Sequence, residues 1–387
     1  MINIEQKTNT FSPFIKWPGG KTQELKIILD NIPKNYNRYF EPFLGGGSVF
    51  FAISKNNSVV NDISIELISL YRFIAENNVD FFEKLLEINK TWNLLGQLVS
   101  EEKDVLISIF QSFKSDLNIL DVNKHKTKYQ NKIYDFVLKH DAMLNGLMHE
   151  HFNINIENFL KEIKKSLYQK MNRMVSNERK LGTLSISDVY DNIETAFKSA
   201  YYTHFRHLYN NREKYEISES FSSAIFYFIR EYCYSSMFRY NKNGHFNVPY
   251  GGISYNNKNL LKKIQYMKSD SLVNFLKNTC IESLDFSDFF KKYNMTSDDF
   301  IFLDPPYDSD FSTYAQNEFG KNDQERLAEF LIHTKAKFMM IIKNTEFIKR
   351  LYVNYKHIHI KPFDKTYLVS FKARNDREVE HLLITNY

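Results

Sequence analysis

Two cysteines in 387 residues cannot build a disulfide framework, and Cys233 and Cys280 are too far apart to form a CxxC metal pair. Both lie in apolar stretches and read as small buried hydrophobic residues. No apolar run approaches the length of a membrane span, and the opening stretch MINIEQKTNT has no signal-peptide core. These absences point to a soluble protein of a reducing, cytoplasmic compartment, with no membrane partner. His149 and His151 are neighbours without further ligands, so no metal is expected. A phosphate-binding GxxxxGK[ST] loop is missing too. Gly19-Gly20-Lys21-Thr22 ends like one, but no glycine precedes it at the needed spacing and no strong strand leads in. There is no clear internal repeat and no low-complexity tract.

What the chain does hold is an ordinary core composition, 43% hydrophobic, and a mild basic excess of +5. That charge permits an anionic partner without demanding one. Strand and helix signals alternate at both ends. Strands are expected at 38–42, 57–62, 279–281, 300–303 and 338–342, and helices at 49–53, 65–75 and 323–334. In the 65–75 helix, Leu67, Ile68, Tyr71 and Ile74 share a face. Two late strands, 367–371 and 381–385, flank the charged turn 374–377 and read as an antiparallel hairpin. Such alternation implies a doubly wound parallel sheet with an antiparallel edge. The middle, from about 93 to 250, lacks it and is helical in pattern. There Leu160, Ile163, Leu167, Met171 and Met174 fall at helix spacing, with lysines and Arg173 between them. That basic face reads as solvated surface.

Three features carry chemistry. The buried run 300–303 delivers Asp304-Pro305-Pro306-Tyr307 into a loop. The aromatic ring suits stacking on a flat base. The carboxylate and the exposed carbonyls can accept hydrogen bonds from an exocyclic amine, and the prolines fix the backbone that carries them. Gly45-Gly46-Gly47-Ser48 follows the first strand, where glycine lets backbone approach a ligand. Asp62 ends the second strand and suits either a ribose diol or a helix N-cap.

Read in order, Trp17-Pro18-Gly19-Gly20-Lys21, Phe40-Glu41-Pro42-Phe43-Leu44-Gly45-Gly46-Gly47, Asn61-Asp62, Arg239-Tyr240-Asn241 with Phe246 to Gly251, and Asp304 to Tyr307 resemble the Dam-like (alpha-type) adenine-N6 DNA methyltransferases. The likeness covers roughly residues 12–90 and 200–387. It implies a Rossmann-like methyltransferase fold, with a catalytic domain of 1–90 and 270–387, a helical insertion of 91–200 and a recognition region of 201–269 carrying a hairpin at 239–252. It implies S-adenosylmethionine as donor, held by Trp17, Lys21, Glu41, Phe43, Gly45, Gly46, Gly47, Asp62, Asp285, Phe286 and Asp304. Catalysis would use Asp304, Pro305, Pro306 and Tyr307 on an adenine flipped out of double-stranded DNA. Transfer would be direct, since neither cysteine follows a proline as a cytosine carbon-5 nucleophile does.

The resemblance also implies DNA contacts at Lys16, Tyr234, Ser235, Met237, Arg239, Tyr240, Asn241, Asn247 and Pro249, with Arg239 reading a guanine. Ser235 and Met237 replace the family's usual Asn and Leu, so GATC stands as the leading guess for the target. A restriction endonuclease would be the partner in such a system, in a prokaryotic cell or a phage. The alternatives are a cytosine-N4 or RNA amine methyltransferase on the same fold, or an inactive DNA-binding module. The role of residues 91–200 is left open.

Overall fold

The computed structural model describes residues 11–117, 119, 121–140, 154–307, 319–366 and 378–387. His149, His151, the strand expected at 367–371 and the turn at 374–377 lie outside the described residues. The chain forms two compact units. One comprises Met1–Asn78, Phe238–Gly244 and Tyr266–Tyr387, the other Val79–Met237 and His245–Gln265.

The first unit is mixed α/β. Its strands are β1 (Tyr39–Glu41), β2 (Ser58–Asn61), β3 (Cys280–Glu282), β4 (Phe300–Leu303), β5 (Lys337–Lys343), β6 (His359–Thr366) and β7 (Glu378–Thr385). They make one sheet in the order β3-β2-β1-β4-β5-β7-β6. Neighbours from β3 to β5 pair in parallel, and β7 is antiparallel to both β5 and β6. Strand order reverses between β1 and β4, and at such a switch point the carboxyl ends of the strands open a crevice. The loops leaving β1 and β4 are the glycine loop and the Asp304 to Tyr307 segment, so topology brings the two motifs to one edge of the sheet.

Helices α1 (Leu25–Asn31), α2 (Ser48–Ile53) and α3 (Ile65–Ala75) belong to the N-terminal part of this unit. Leu67, Ile68, Tyr71 and Ile74 of α3 are all fully buried, as their spacing requires.

The second unit is helical. It contains α4 (Val79–Glu101), α5 (Lys103–Asp116), α6 (Val122–Lys139), α7 (Ile156–Leu181), α8 (Ile186–Asn210) and α9 (Glu219–Tyr232). Its centre is aromatic: Trp92 of α4 lies 4.3 Å from Tyr232 and 5.6 Å from Tyr250, ring to ring. In α7 the buried stripe runs through Phe159, Ile163, Leu167, Met171 and Met174. Leu160, expected in that stripe, is only partly covered, because Phe159 takes the inward position.

The chain then returns to the first unit through α10 (Asp270–Lys277), α11 (Phe286–Lys292), α12 (Lys321–His333) and α13 (Glu346–Tyr352). Phe40, Ile301, Leu303, Phe338, Met340, Leu382 and Ile384 alternate along their strands and form one face of the sheet. Against them pack Phe289 of α11, Leu327 and Leu331 of α12, and Ile348 and Tyr352 of α13.

Two expectations change. Cys280 is exposed, not buried, because β3 is the edge strand of the sheet. The partner of β7 is β6 at His359–Thr366, eight residues that the apolar pattern did not single out. It is a polar outer strand, and it tolerates Pro362 because an edge position leaves one side of the backbone unpaired.

Candidate active site

A cavity of about 700 Å³ opens where β1, β2 and β4 end, entirely within the first unit. Trp17, Lys21, Glu41, Phe43, Gly45, Gly46, Gly47, Asp62, Asp285, Phe286 and the Asp304 to Tyr307 segment all line it. Every residue assigned to the donor from sequence therefore faces one space.

The glycine loop is held from both sides. Gly45 and Gly47 have φ of 50° and 70°, a region that side-chain-bearing residues avoid. A Cβ on Gly45 would stand 2.8 Å from the Trp17 ring, and one on Gly47 would stand 2.7 Å from the Tyr71 hydroxyl. Gly45 N donates to Asp62 Oδ2 at 2.8 Å, and Ser64 N donates to Asp62 Oδ1 at 2.9 Å. Burial raises the Asp62 carboxyl above its ordinary range, and the two amides partly offset this. The N-cap of α3 is Ser64, whose side chain accepts from Leu67 N, so the capping role considered for Asp62 falls to its neighbour. Asn61 stitches the strand ends together. Its Nδ2 donates to the carbonyls of Pro42 and Leu284, each at 3.0 Å, and its Oδ1 accepts from Leu284 N at 2.8 Å.

At the β1–β4 end the cavity is charged. Lys21, 2% exposed, forms an ion pair with Asp304 and donates to Gly19 O at 3.0 Å. Glu41 is buried beside them and accepts from Tyr39 OH at 2.6 Å. Burial, with the Asp304 charge adding to it, pushes the Glu41 carboxyl up to about 8; Tyr39 and Lys21 pull against the shift without cancelling it. A carboxyl raised this far favours its neutral form at neutral pH. Tyr307 is anchored by its hydroxyl, which lies 3.5 Å from Lys21 Nζ and 3.2 Å from His381 Nε2. His381 is fully buried on β7, and its ring stands 5.5 Å from the Tyr307 ring at 66°. Gln324 of α12, also fully buried, donates to Pro306 O at 2.9 Å. Neither His381 nor Gln324 was visible as a site residue in the sequence; both reach the loop from elements distant along the chain.

The opposite end is aromatic. Phe43, Phe286 and Phe319 pack together, with ring centroids 5.5 to 5.7 Å apart. Phe319 has no sequence signal of its own. Asp285 caps α11 through Ser287 N at 2.9 Å and pairs with Arg326 at 3.3 Å. Burial alone would raise its carboxyl, but Arg326 and Ser287 hold it below the ordinary range.

The residues expected on DNA fall in both units. In the first, Lys16, Arg239 and Asn241 are exposed. Phe238 anchors their segment by packing on Trp17, ring centroids 5.0 Å apart, while Tyr240 packs edge-on against Phe238 and lines the cavity. The tip is a turn, with Gly244 N donating to Asn241 O at 2.9 Å, and no regular strand flanks it.

In the second unit, α8 sets the backbone of 246–248. Tyr202 OH and Arg206 Nη1 donate to Val248 O at 2.8 and 2.7 Å, and Asn210 makes two bonds to Phe246 at 2.9 Å each. Three side chains spaced four residues apart on one helix thus hold the strip that carries Asn247 and Pro249. Tyr234 N donates to Pro249 O at 2.8 Å, and the Tyr234 side chain is 51% exposed. Ser235 and Ser236, just before Met237, sit at φ of 51° and 52°, a left-handed pair that costs roughly 1–2 kcal/mol per residue.

Among the described residues, no helix is long and apolar enough to cross a membrane. No group of three or more His, Cys, Asp or Glu side chains there could hold a metal ion.

The chain is 28% identical to the type II methyltransferase M.CviBI of Paramecium bursaria Chlorella virus NC1A over 378 residues, covering 97% of this chain and 99% of that one. It is 26% identical over 392 residues to the type II methyltransferase M.MjaIII of Methanocaldococcus jannaschii, again covering 97% and 99%. To the DNA adenine methylase of Haemophilus influenzae it is 23% identical over 359 residues, covering 90% and 85%. With nearly whole chains aligned, the helical middle has counterparts in the two type II relatives. The family model for D12 class N6 adenine-specific DNA methyltransferases matches residues 17–183 and 157–365. Motifs, cavity and match agree, and the chain belongs to the D12 class of N6 adenine-specific DNA methyltransferases.

Proposed function

We propose that the cavity binds S-adenosylmethionine and that the Asp304 to Tyr307 loop presents an adenine of double-stranded DNA to it. The observation that carries this reading is that the amine-binding loop and the glycine loop open into one cavity. The residues fit the donor chemically. Phe43, Phe286 and Phe319 offer an apolar slot for its adenine. Asp62 lies beside the slot to meet ribose hydroxyls. Glu41 and Asp304 supply carboxylates at the end where the positively charged methionine portion would lie. Sheet order and motif placement likewise support a doubly wound, Rossmann-like methyltransferase fold.

When bound, the donor supplies an electrophilic methyl on a sulfonium. The chain's own residues do the rest. Tyr307, its hydroxyl held by His381 and Lys21, stacks on the flipped base. Asp304 and the Pro305 carbonyl accept hydrogen bonds from the 6-amino group and turn its lone pair toward the methyl. Gln324 fixes the loop through Pro306 O. Orientation supplies much of the rate. Asp304 need not be a strong base, because the nitrogen becomes acidic only once methylated.

Recognition falls to Lys16, Tyr234, Ser235, Met237, Arg239, Tyr240, Asn241, Asn247 and Pro249, with GATC as the leading target. Residues 1–90 and 270–387 act as catalytic domain, 201–269 as recognition region and 91–200 as an addition to it. A restriction endonuclease is the partner proposed with this reading.

Asp304→Ala tests the assignment. Transfer of labelled methyl to duplex DNA is expected to fall by roughly 10²–10³-fold or more, with duplex binding retained. Activity surviving in that variant would remove Asp304 from its role.

A further inference from the structure

The segment that carries Arg239 has two faces. Phe238 is buried and packs on Trp17, ring centroids 5.0 Å apart. Tyr240 packs edge-on against Phe238 at 5.2 Å. Both rings line the cavity. Arg239, between them, and Asn241, after them, are exposed. Burial that alternates residue by residue is the pattern of extended backbone, whose successive side chains leave on opposite sides. Residues 15–17 repeat it: Ile15 is buried, Lys16 is exposed and Trp17 lines the cavity. The two strips meet through Trp17 and Phe238, and all of these residues belong to the first unit.

Trp17 is also confined on its other side. A Cβ on Gly45 would stand 2.8 Å from the indole ring, and one on Gly46 would stand 3.2 Å from the Trp17 Cβ. The indole thus fills the space between the glycine loop and Phe238, and close packing lets it transmit a push from either. The resemblance placed Tyr240 on DNA and gave Phe238 no role, yet both rings face the cavity that the glycine loop opens into.

We propose that Phe238 is a positioning residue for target reading. Through Trp17 and Tyr240 it makes the strip that bears Arg239 a wall of the donor cavity, so that filling the cavity and reading a base pair with Arg239 favour each other. This rests on the reading of the cavity as the donor site and of Arg239 as a base-reading residue. A donor in the cavity covers the ring faces of Trp17, Phe238 and Tyr240 that line it. Rings packed on both sides hold the strip in one arrangement, and Arg239 then has less freedom to lose when it meets a guanine edge. Without the Phe238 ring the strip loses its hold on Trp17, and the two binding events become independent. Linkage makes the effect reciprocal: the correct duplex tightens the donor by the factor with which the donor tightens the duplex.

The test measures binding by the full chain. The methylated sequence is first located in DNA treated with the parent. Affinities of the parent and of F238A are then measured for a duplex carrying that sequence, and for duplexes with each of its base pairs changed in turn. Each is measured with and without saturating S-adenosylhomocysteine, which cannot transfer a methyl group. In the parent the ligand is expected to tighten the correct duplex about 10-fold or more, and in F238A by less than about twofold. Discrimination against a changed guanine pair is expected to fall about 10-fold in F238A at one position of the sequence, and to persist at the others. F238Y, which keeps the ring, is expected to restore both properties. Thermal unfolding shows that the variants fold; F238L, which fills the space without a flat ring, replaces F238A if that variant does not.

Parental coupling together with parental discrimination in F238A would overturn the proposal. So would an equal loss of affinity for every duplex, the mark of a purely structural role. A parent that discriminates among duplexes without responding to S-adenosylhomocysteine overturns this inference alone. A parent that neither binds S-adenosylhomocysteine nor methylates any duplex overturns the enzymatic reading, and the inference with it.

Discussion

Two buried glutamates separate the two units. Glu41 of the first unit is held neutral: burial lifts its carboxyl to about 8, and Lys21 is already committed to Asp304. Glu231 of the second unit is equally inaccessible, yet its carboxyl lies below the ordinary range. Burial opposes that, but Lys263 at 2.9 Å and Lys258 at 3.0 Å outweigh it. Both side chains are carboxylates removed from water. One has two lysines on its Oε2 and ties α9 to the segment after it. The other is left short of positive charge beside a cavity. A fold that compensates charge where it needs rigidity and withholds compensation where a cationic ligand is to bind would show this contrast.

Breaking the compensated site should have the largest effect on stability. Glu231→Gln leaves two lysines facing a neutral amide. It is expected to cost about 2–3 kcal/mol, somewhat below the usual figure for a broken buried pair, because Lys263 is about a third exposed. Equilibrium denaturation in urea measures it. The wild-type contribution is present above the ordinary Glu range and fades as pH falls through the depressed value, so the gap between variant and parent should close in acid.

Gly47→Ala comes next and strikes the cavity alone. A left-handed alanine costs about 1–2 kcal/mol, and its Cβ would meet the Tyr71 hydroxyl. Donor affinity, followed by calorimetry, should collapse while α4–α9 keep their helical circular dichroism.

Glu41→Gln sharpens the contrast by its sign. The folded carboxyl titrates near 8 and the unfolded one near 4.5. The folded state therefore binds more protons between those values, and wild-type stability falls as pH rises through that window. The variant escapes this penalty. Its melting temperature should exceed that of wild type at pH 8 and match it near pH 4.5. Donor binding to wild type should release a proton at pH 7, and binding to the variant should not.

The smallest effect is expected from His381→Phe. It keeps the ring packing on Tyr307 and removes the hydrogen bond, worth about 1 kcal/mol. A roughly fivefold fall in kcat for the duplex, with little change in KM for the donor, would mark a positioning role. A change in melting temperature alone would mark a structural one.

These sites differ in how readily sequence reveals them. The core of the sheet is legible because burial on both faces forces near-continuous apolar runs, as in β4 and β5. The glycine loop and the Asp304 loop are legible because φ and side-chain chemistry restrict which residues serve there. Strand β6 is not, since an outer strand facing water carries no apolar signature, and the exposed Cys280 on β3 misled for the same reason. His381, Gln324 and Phe319 stayed hidden because nothing local requires them. They join the site through β7, through α12 and through the loop that enters α12, from 15 to 77 residues beyond Asp304. Likewise Tyr202, Arg206 and Asn210 look like ordinary helix residues until the backbone they hold is seen.

The most direct measurement is nucleoside analysis by mass spectrometry of a defined duplex incubated with isotopically labelled S-adenosylmethionine. The label is expected on N6 of adenine at one sequence context, and nowhere when Asp304 is alanine. Label on N4 of cytosine, on RNA alone or on no base at all would contradict an adenine amine held by Asp304 and Pro305 beside the donor cavity.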